Sequence, residues 1–293
     1  MIQGDSGSCH RNDLVGRNAE AGLNFNSIEP RAGALKRMKI IVAIKQVPER
    51  DAPLRIAADG KAIEERELQF AMNEPDAYAL EEALQFKEKH GGEVVVLSAG
   101  PERVATTIRE ALAKGADRAI HVICDDLASR DALGVARLLA AAVKPENPDL
   151  VLTGLQSEDL GLGQTGVILA ELLDMPHSTL ILQVEKSESG IRVKRELEAG
   201  WFQSIEMGLP AVLTIQSGGN KLRYATLMGI KKAKIKELRA VSASELGSTG
   251  AAVVTLEQIV LPKKQKSTQI LPGTGKEAAA ALVEKLKFEV RVL

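Results

Sequence analysis

Short apolar runs alternate with stretches of helical periodicity between residues 38 and 175 of the chain. Four runs have the length and composition of parallel strands buried on both faces: 40–44, 93–97, 119–124 and 149–154. Four further segments place apolar residues on one face of a helix: 75–90, 101–114, 129–143 and 164–173. Strands that alternate with helices form βαβ units, whose crossovers are right-handed. The pattern therefore predicts an α/β fold with a doubly wound, mostly parallel sheet of the Rossmann-like type.

The pattern changes after Pro176. The segments 178–185 and 190–197 predict two strands joined by a polar turn, as in a hairpin added at one edge of the sheet. One more apolar strand is predicted at 209–216 and a last helix at 276–288. The polar segment 247–275 has little to bury by itself. We therefore expect an extended C-terminal arm that needs a partner surface.

These patterns divide the chain into three parts. Residues 1–37 show neither alternation nor helical periodicity, and we interpret them as a disordered extension or the product of an upstream start codon. Residues 38–240 form the predicted α/β domain. Residues 241–293 form the predicted arm and its helix.

Composition excludes several classes of function. The chain has 38 Lys and Arg against 39 Asp and Glu, so it lacks the excess of positive charge with which proteins bind nucleic acids or anionic membranes. No apolar run approaches the ~20 residues of a membrane span, which argues against direct membrane insertion. The two cysteines, Cys9 and Cys124, lack metal-ligand spacing. We expect a soluble protein of a reducing compartment such as the bacterial cytoplasm.

In open parallel sheets, ligands bind beyond the carboxyl ends of the strands, at the point where the strand order reverses. Four segments lie at such ends: 45–51, 98–101, 153–166 and 217–219. The third is rich in glycine and leads directly into a helix through Gln164 and Thr165. Glycines allow close approach to a phosphate, and the free N–H groups of a helix start attract anions. This segment predicts a nucleotide site, although an ordinary βα connection has similar composition.

No other residues form a candidate active site. The four histidines are scattered along the chain, so neither a Ser-His-Asp nor a Cys-His arrangement can be proposed. Cys124 follows a strand and is typical of a small core residue. The sequence therefore predicts a protein without a self-contained active site.

Five ordered blocks of the chain resemble the beta subunit of electron-transfer flavoproteins. They are Val42 to Pro48, Met72 to Asp76 continued by 79–83, 114–122, 193–214, and Arg223 to Leu227 followed by Lys231 and Lys232. The resemblance extends over about 38 to 293, which is nearly the whole chain outside the predicted extension.

The resemblance implies a heterodimer with an alpha subunit. The pair would carry one FAD, shared by the two chains and mostly held by alpha, and the beta subunit would bind AMP as a structural nucleotide. Electrons would come from flavin dehydrogenases, such as the acyl-CoA dehydrogenases of fatty acid oxidation, and pass to a membrane quinone oxidoreductase. The chain would then be an electron carrier subunit rather than an enzyme, and its residues 241–293 would pack on the alpha subunit.

The resemblance also assigns residues by position. The implied AMP contacts are Ala43, Asn73, Glu74, Pro75, Asp76, Ala99 and the segment from Gln156 to Val167, which includes Asp159, Gly161, Gly163, Gln164, Thr165 and Gly166. The implied partner-recognition residues are Arg223, Tyr224, Ala225, Thr226, Leu227, Lys231 and Lys232. Leu227 would be an exposed apolar anchor on a mobile loop, and the alternative is a buried strand residue.

The nucleotide segment departs from the family pattern at Leu160, Gly161 and Gly163, where many AMP-binding relatives have acidic residues and Asn. Electron-bifurcating relatives, which hold a second FAD in this site, usually show a Val and a Pro that this chain lacks. Two alternatives therefore remain: a bifurcating subunit with a second FAD, and a stand-alone adenine-nucleotide-binding stress-type protein.

Overall fold

The computed structural model describes residues 37–247, 252–262 and 268–292. The predicted disordered extension therefore lies, apart from Arg37, outside the described residues. The division of the chain at 37 and 240 stays a prediction.

Eleven strands are present in the described part of the chain. They are β1 (Lys39–Ala43), β2 (Gln46–Pro48), β3 (Phe70–Met72), β4 (Glu93–Gly100), β5 (Arg118–Ile123), β6 (Leu150–Gly154), β7 (His177–Lys186), β8 (Ile191–Glu196), β9 (Phe202–Met207), β10 (Ala211–Ile215) and β11 (Leu238–Ser242). The α-helices of the same residues are α1 (Glu74–His90), α2 (Ala105–Lys114), α3 (Ala132–Val143), α4 (Thr165–Leu173), α5 (Leu227–Ala233) and α6 (Gly275–Glu284).

Nine of these strands form one sheet in the order β11-β5-β4-β1-β6-β10-β7-β8-β9. All neighbours from β11 to β7 pair in parallel, whereas β7, β8 and β9 pair antiparallel. Strands β2 and β3 form a separate two-stranded sheet. The predicted α/β fold with a mostly parallel, doubly wound sheet and an edge hairpin is confirmed.

The side chains of each central strand point alternately into two hydrophobic cores, one on each face of the sheet. Ile40 and Val42 of β1 pack with α1 and α2, whereas Ile41 and Ala43 pack with α3 and α4. Because successive side chains of a strand point to opposite faces, a strand between two helical layers must be apolar at every position. This explains why the central strands read as continuous apolar runs.

Local signals define the helix ends. Helix α1 has Pro75 in its first turn, where a missing N–H costs nothing, and ends at Gly91 with φ 74°. Asp131 caps α3 by accepting a hydrogen bond from the N–H of Gly134 at 2.8 Å. The two ends of α1 and the start of α3 are therefore explained by the proline, the glycine and the aspartate found there.

Five elements were not predicted, and two of them are the three-residue strands β2 and β3 of the small sheet. The strand β9 is exposed at most positions and pairs only with β8, so its sequence lacks a buried face. The strand β11 lies in a basic segment and completes the other edge of the sheet against β5. Helix α5 has seven residues, too few for a clear helical period. β11 spans the predicted domain boundary at 240.

The C-terminal arm has little burial in this chain. Helix α6 begins with a capping box between Thr274 and Glu277, and none of its residues is buried. Several large apolar side chains of the arm are exposed: Val253, Val254, Leu256, Val260, Leu261, Ile270, Leu282, Val283, Phe288, Val290 and Val292. The expected extended arm is therefore present in the described residues.

None of the helices described here combines the length and apolar character needed to cross a membrane.

Candidate functional site

The strand order reverses at β1. From β1 the chain proceeds outward through β4 and β5 on one side, while β6 and β10 lie on the other. The carboxyl ends of β1, β4 and β6 are followed by Ile44, Pro101 and Leu155, which lie at one edge of the sheet. The predicted binding segments therefore do meet at a topological switch point.

A buried carboxylate joins the ends of the two central strands. Asp76 accepts one hydrogen bond from the N–H of Lys45 at 2.7 Å and another from the N–H of Gly154 at 2.9 Å. Burial raises the pKa of Asp76 to about 7, against the opposing effect of these hydrogen bonds. Both oxygens of this implied nucleotide contact are thus used to hold β1 and β6 together.

Asn73 performs a similar role for the loop that follows β6. Its side-chain amide donates to the carbonyl of Gln156 at 3.0 Å, and its Oδ1 accepts from the N–H of Glu158 at 2.9 Å. Asn73 is 1% exposed, so these bonds are formed in a dry environment. They define the path of the loop from within the chain.

An ion pair ties the same loop to β1. The Lys45 ammonium lies 2.7 Å from the Asp159 carboxylate and 3.3 Å from the Ser157 hydroxyl. Burial opposes ionisation of Asp159, but Lys45 outweighs it and lowers the pKa of the carboxyl below its usual value. Ser157 lies in the segment that the resemblance assigns to AMP contacts, whereas Lys45 was predicted only as part of the strand-end segment 45–51.

The glycines have distinct functions here. Gly161 and Gly163 adopt φ of 63° and 62°, a left-handed conformation that side chains disfavour. A Cβ on Gly154 would lie 2.7 Å from Cβ of Pro75, and one on Gly166 would lie 2.6 Å from the Thr153 hydroxyl. The first pair allows the loop to turn, and the second pair allows α1 and α4 to approach the strand ends.

The start of α4 can accept an anion. Gln164 precedes the helix and makes no side-chain capping bond, so the first N–H groups of α4 have no partner from that residue. The methyl group of Thr214 lies beside Gly166, and the Thr214 hydroxyl is buried without a hydrogen-bond partner. The free N–H groups at the start of α4 suit a phosphate group.

The remaining implied nucleotide contacts lie at the same edge. Ala43 ends β1 and Ala99 lies near the end of β4, while Glu74 and Pro75 begin α1. Thr165, Gly166 and Val167 form the first turn of α4. The structure therefore brings these residues together, although their contact with a nucleotide stays a prediction.

The implied partner-recognition segment forms a capped helix beside α2. The Thr226 side chain accepts from the N–H of Gly229 at 3.0 Å, and α5 begins at Leu227. Gly229 packs against the carbonyl of Ala113, where a side chain would clash. Arg109 donates to the carbonyl of Lys236 at 2.8 Å, which ties the end of this segment to α2 as well.

Arg223 anchors the same segment to α1. Its guanidinium lies 2.8 Å from the Glu81 carboxylate and also forms an ion pair with Glu88. Burial of Glu81 raises its pKa, but Arg223 outweighs this and lowers it overall. Arg223 therefore holds the segment in place, and its contact with a partner stays a prediction.

Helix α5 presents apolar side chains to solvent. Leu227 is 80% exposed and Tyr224 91% exposed, so the alternative of Leu227 as a buried strand residue is wrong. Lys231 and Lys232 lie on the exposed side of the same helix, whereas Ala233 is buried. An apolar knob bordered by cations is typical of a protein-binding surface.

The described residues contain no cluster of His, Cys, Asp or Glu able to hold a metal ion. Cys124 is buried, as predicted, and its thiol donates to the Asp126 carboxylate at 2.9 Å.

The family model for the electron transfer flavoprotein domain matches residues 61–246. The electron transfer flavoprotein subunit beta of Methylophilus methylotrophus is 40% identical over 257 residues, which cover 84% of this chain and 97% of the relative. The mitochondrial beta subunit of Oryza sativa subsp. japonica is 38% identical over 259 residues, covering 87% and 100%. The beta subunit of Mus musculus is 35% identical over 262 residues, covering 88% and 100%.

The chain belongs to the electron transfer flavoprotein family, as a beta subunit. This membership confirms the resemblance on which the site residues were assigned. It also confirms the prediction of an electron-carrier subunit rather than an enzyme. The switch-point loop, from Leu155 to Gln164, and the recognition segment, from Arg223 to Lys232, lie inside the matched residues.

Proposed function

We propose that this beta subunit pairs with an electron transfer flavoprotein alpha subunit and binds AMP at the switch point. The flavin of the pair, an FAD mostly held by alpha, supplies the redox chemistry. This chain supplies burial, charge and a docking surface. In the bacterial cytoplasm, the pair accepts electrons from flavin dehydrogenases, such as those of fatty acid oxidation, and passes them to a membrane quinone oxidoreductase.

One observation supports the AMP site most strongly. Asn73, Asp76 and Lys45 hold the glycine-containing loop in place through contacts within this chain. These contacts define the path of the loop, which leads to free N–H groups at the start of α4. Preorganised donors favour binding because little ordering remains to be done when the ligand arrives.

The arm supports the heterodimer. Its exposed apolar side chains, among them Leu282, Val283 and Phe288, are unburied in this chain. A large exposed apolar surface favours association, because burial removes it from water. We propose that the alpha subunit covers it.

Nucleotide content tests this proposal directly. The chain is co-expressed with its alpha subunit, the complex is purified and denatured, and released AMP and FAD are quantified. We expect one FAD and one AMP per heterodimer. Two FAD without AMP would indicate the bifurcating subunit, and a soluble chain that forms no complex but binds ATP would indicate the stand-alone protein.

A double variant locates the site. Gln164→Ala with Thr165→Ala removes two side chains from the start of α4, and we expect at least a tenfold loss of AMP retention with FAD unchanged. Glu171→Ala, at an exposed position nearer the end of the same helix, is the matched control. Equal AMP retention in the double variant and the control would place the nucleotide elsewhere.

A further inference from the structure

Arg195 lies at the end of β8, opposite Ile181 of β7. Its Nε is buried and has no hydrogen-bond partner. Within the described residues, no carboxylate forms an ion pair with its guanidinium. A guanidinium keeps its charge in proteins, so a half-buried one without an anion is unfavourable.

The other charged side chains of β8 are engaged. Arg192 forms an ion pair with Glu206 at 2.6 Å. Lys194 lies 4.1 Å from the centre of the Phe202 ring, and the Glu196 carboxylate accepts from Gln216 at 3.4 Å. No neighbour on the hairpin therefore neutralises Arg195.

The guanidinium borders a cleft of about 220 Å³ that is lined by residues of β7, β8 and β9. Its lining residues are His177, Ser178, Thr179, Arg195, Ile205 and Met207. Ser178 places a hydroxyl among these residues and is itself 7% exposed. The cleft thus combines one cation with small hydroxyl groups and two apolar side chains.

The backbone beside the cleft is irregular. Leu180 adopts φ of 61°, a left-handed conformation that a leucine disfavours. The pairing register of β7 shifts at this point against both neighbours, β10 and β8. Such bulges re-aim side chains and occur preferentially beside functional sites.

We propose that this cleft receives a carboxylate side chain of the alpha subunit, which pairs with Arg195. The inference rests on the proposed function, because it requires the heterodimer. A carboxylate matches the fork of donors on a guanidinium and would neutralise its charge. The connection between β8 and β9 also carries Trp201, which is 72% exposed, and interfaces are enriched in Trp and Arg.

The chemistry of the cleft favours a carboxylate over a free phosphate. Arg195 is the one side chain of permanent positive charge that lines it. A phosphate dianion is usually bound by more than one cation or by several backbone N–H groups. A single carboxylate, carried on an apolar protein surface, fits one guanidinium bordered by Ile205 and Met207.

The test uses the full chain in complex with the alpha subunit. The heterodimer dissociation constant is measured by dilution for Arg195→Gln and for the matched control Arg192→Gln, three residues earlier on the same strand. We expect Arg195→Gln to weaken assembly at least tenfold and to reduce its salt dependence. Arg192→Gln should change the dissociation constant less than twofold, because the ion pair of Arg192 with Glu206 is exposed.

A second variant covers the case in which Arg195→Gln does not fold. Arg195→Lys keeps the charge but loses the paired donors, and we expect assembly weakened about fivefold. Wild-type assembly in either variant would overturn the proposal. Normal assembly with lost FAD or AMP would also overturn it, by assigning the cleft to a cofactor.

The origin of the carboxylate is tested by deleting residues 2–37. We expect the effect of Arg195→Gln to persist in the shortened chain. If the deletion removes the effect, the carboxylate belongs to this chain and the proposal is wrong. If the wild-type chain forms no complex with the alpha subunit, the proposed function fails, whereas assembly unaffected by Arg195→Gln refutes this inference alone.

Discussion

Two regions of the molecule differ in where their side chains find contacts. One is the switch-point edge of the sheet, and the other is the surface of α5 together with the C-terminal arm. At the switch point, Asn73 and Asp76 are buried and bonded to backbone groups of the loop and the strands. On α5 and the arm, Leu227 and Phe288 are exposed. The first region completes its interactions within one chain, and the second leaves apolar surface for another protein.

This difference separates two ways of preparing a binding surface. A small ligand needs a loop whose path is already determined, because its few contacts cannot also order the loop. A protein partner contributes enough area to bury exposed side chains itself. Changes at the switch point should therefore affect stability, whereas changes on α5 should affect only partner recognition.

The largest effect is expected from Gly154→Ala. The added Cβ would lie 2.7 Å from Cβ of Pro75 and 2.8 Å from the backbone N of Asp76, neither of which can move easily. Overpacking together with a disturbed Asp76 hydrogen bond should lower the free energy of unfolding by about 4 kcal/mol. Urea denaturation of the heterodimer measures it. Gly208→Ala, whose Cβ meets nothing within 4 Å, is the control and should change stability by less than about 0.5 kcal/mol.

Arg223→Ala tests whether the recognition segment also depends on buried contacts. It leaves the Glu81 carboxylate, whose side chain is 5% exposed, without its cation, and should cost about 3 kcal/mol at pH 7. The deficit should shrink as the pH falls, because Glu81 with its lowered pKa stabilises the wild type only while ionised. Thermal unfolding at pH 7 and pH 4 measures both effects. A deficit that does not depend on pH would contradict the ion-pair explanation.

Asp76→Asn tests the buried carboxyl. Because the pKa of Asp76 is raised to about 7 in the folded protein, the native state holds a proton that the unfolded chain releases near its ordinary pKa. Wild-type stability should then fall as the pH rises through 7, by about 2.5 kcal/mol between pH 5 and pH 8 from this group. The variant should lack this loss. Parallel stability profiles of wild type and variant would refute the assignment.

The smallest effect on stability is expected from Leu227→Ala. This side chain is 80% exposed, so the free energy of unfolding should change by less than about 0.5 kcal/mol. The KM for a flavin dehydrogenase should rise about tenfold, since an anchor in a pocket contributes on the order of 1.4 kcal/mol or more. Leu54→Ala, at a position 53% exposed and outside α5, is the control and should leave KM unchanged. Equal KM values for both variants would remove Leu227 from the recognition surface.

Local patterns were sufficient for the central sheet and its helices. Continuous apolar runs marked β1 and β6, and Pro75 with Gly91 marked the ends of α1. The edge strands β9 and β11 escaped prediction because an edge strand is stabilised by its neighbour rather than by a buried face.

The candidate site was predicted as a position rather than as a set of bonds. The glycines and strand ends located the loop, and the family resemblance added Asn73 and Asp76. Neither source indicated that the Asp76 oxygens face the backbone of Lys45 and Gly154, which are 31 and 78 residues away along the chain. Nor did they indicate that Arg223 binds Glu81 and Glu88.

The sequence by itself determined the α/β class, the mostly parallel sheet and the family. These properties depend on periodicity and on residues close together in the chain. The tertiary structure decided which polar side chains are buried and paired, and which apolar ones remain exposed. Those properties depend on contacts between distant segments. A carboxylate such as Asp76 acquires its pKa only when the fold removes water and supplies its donors.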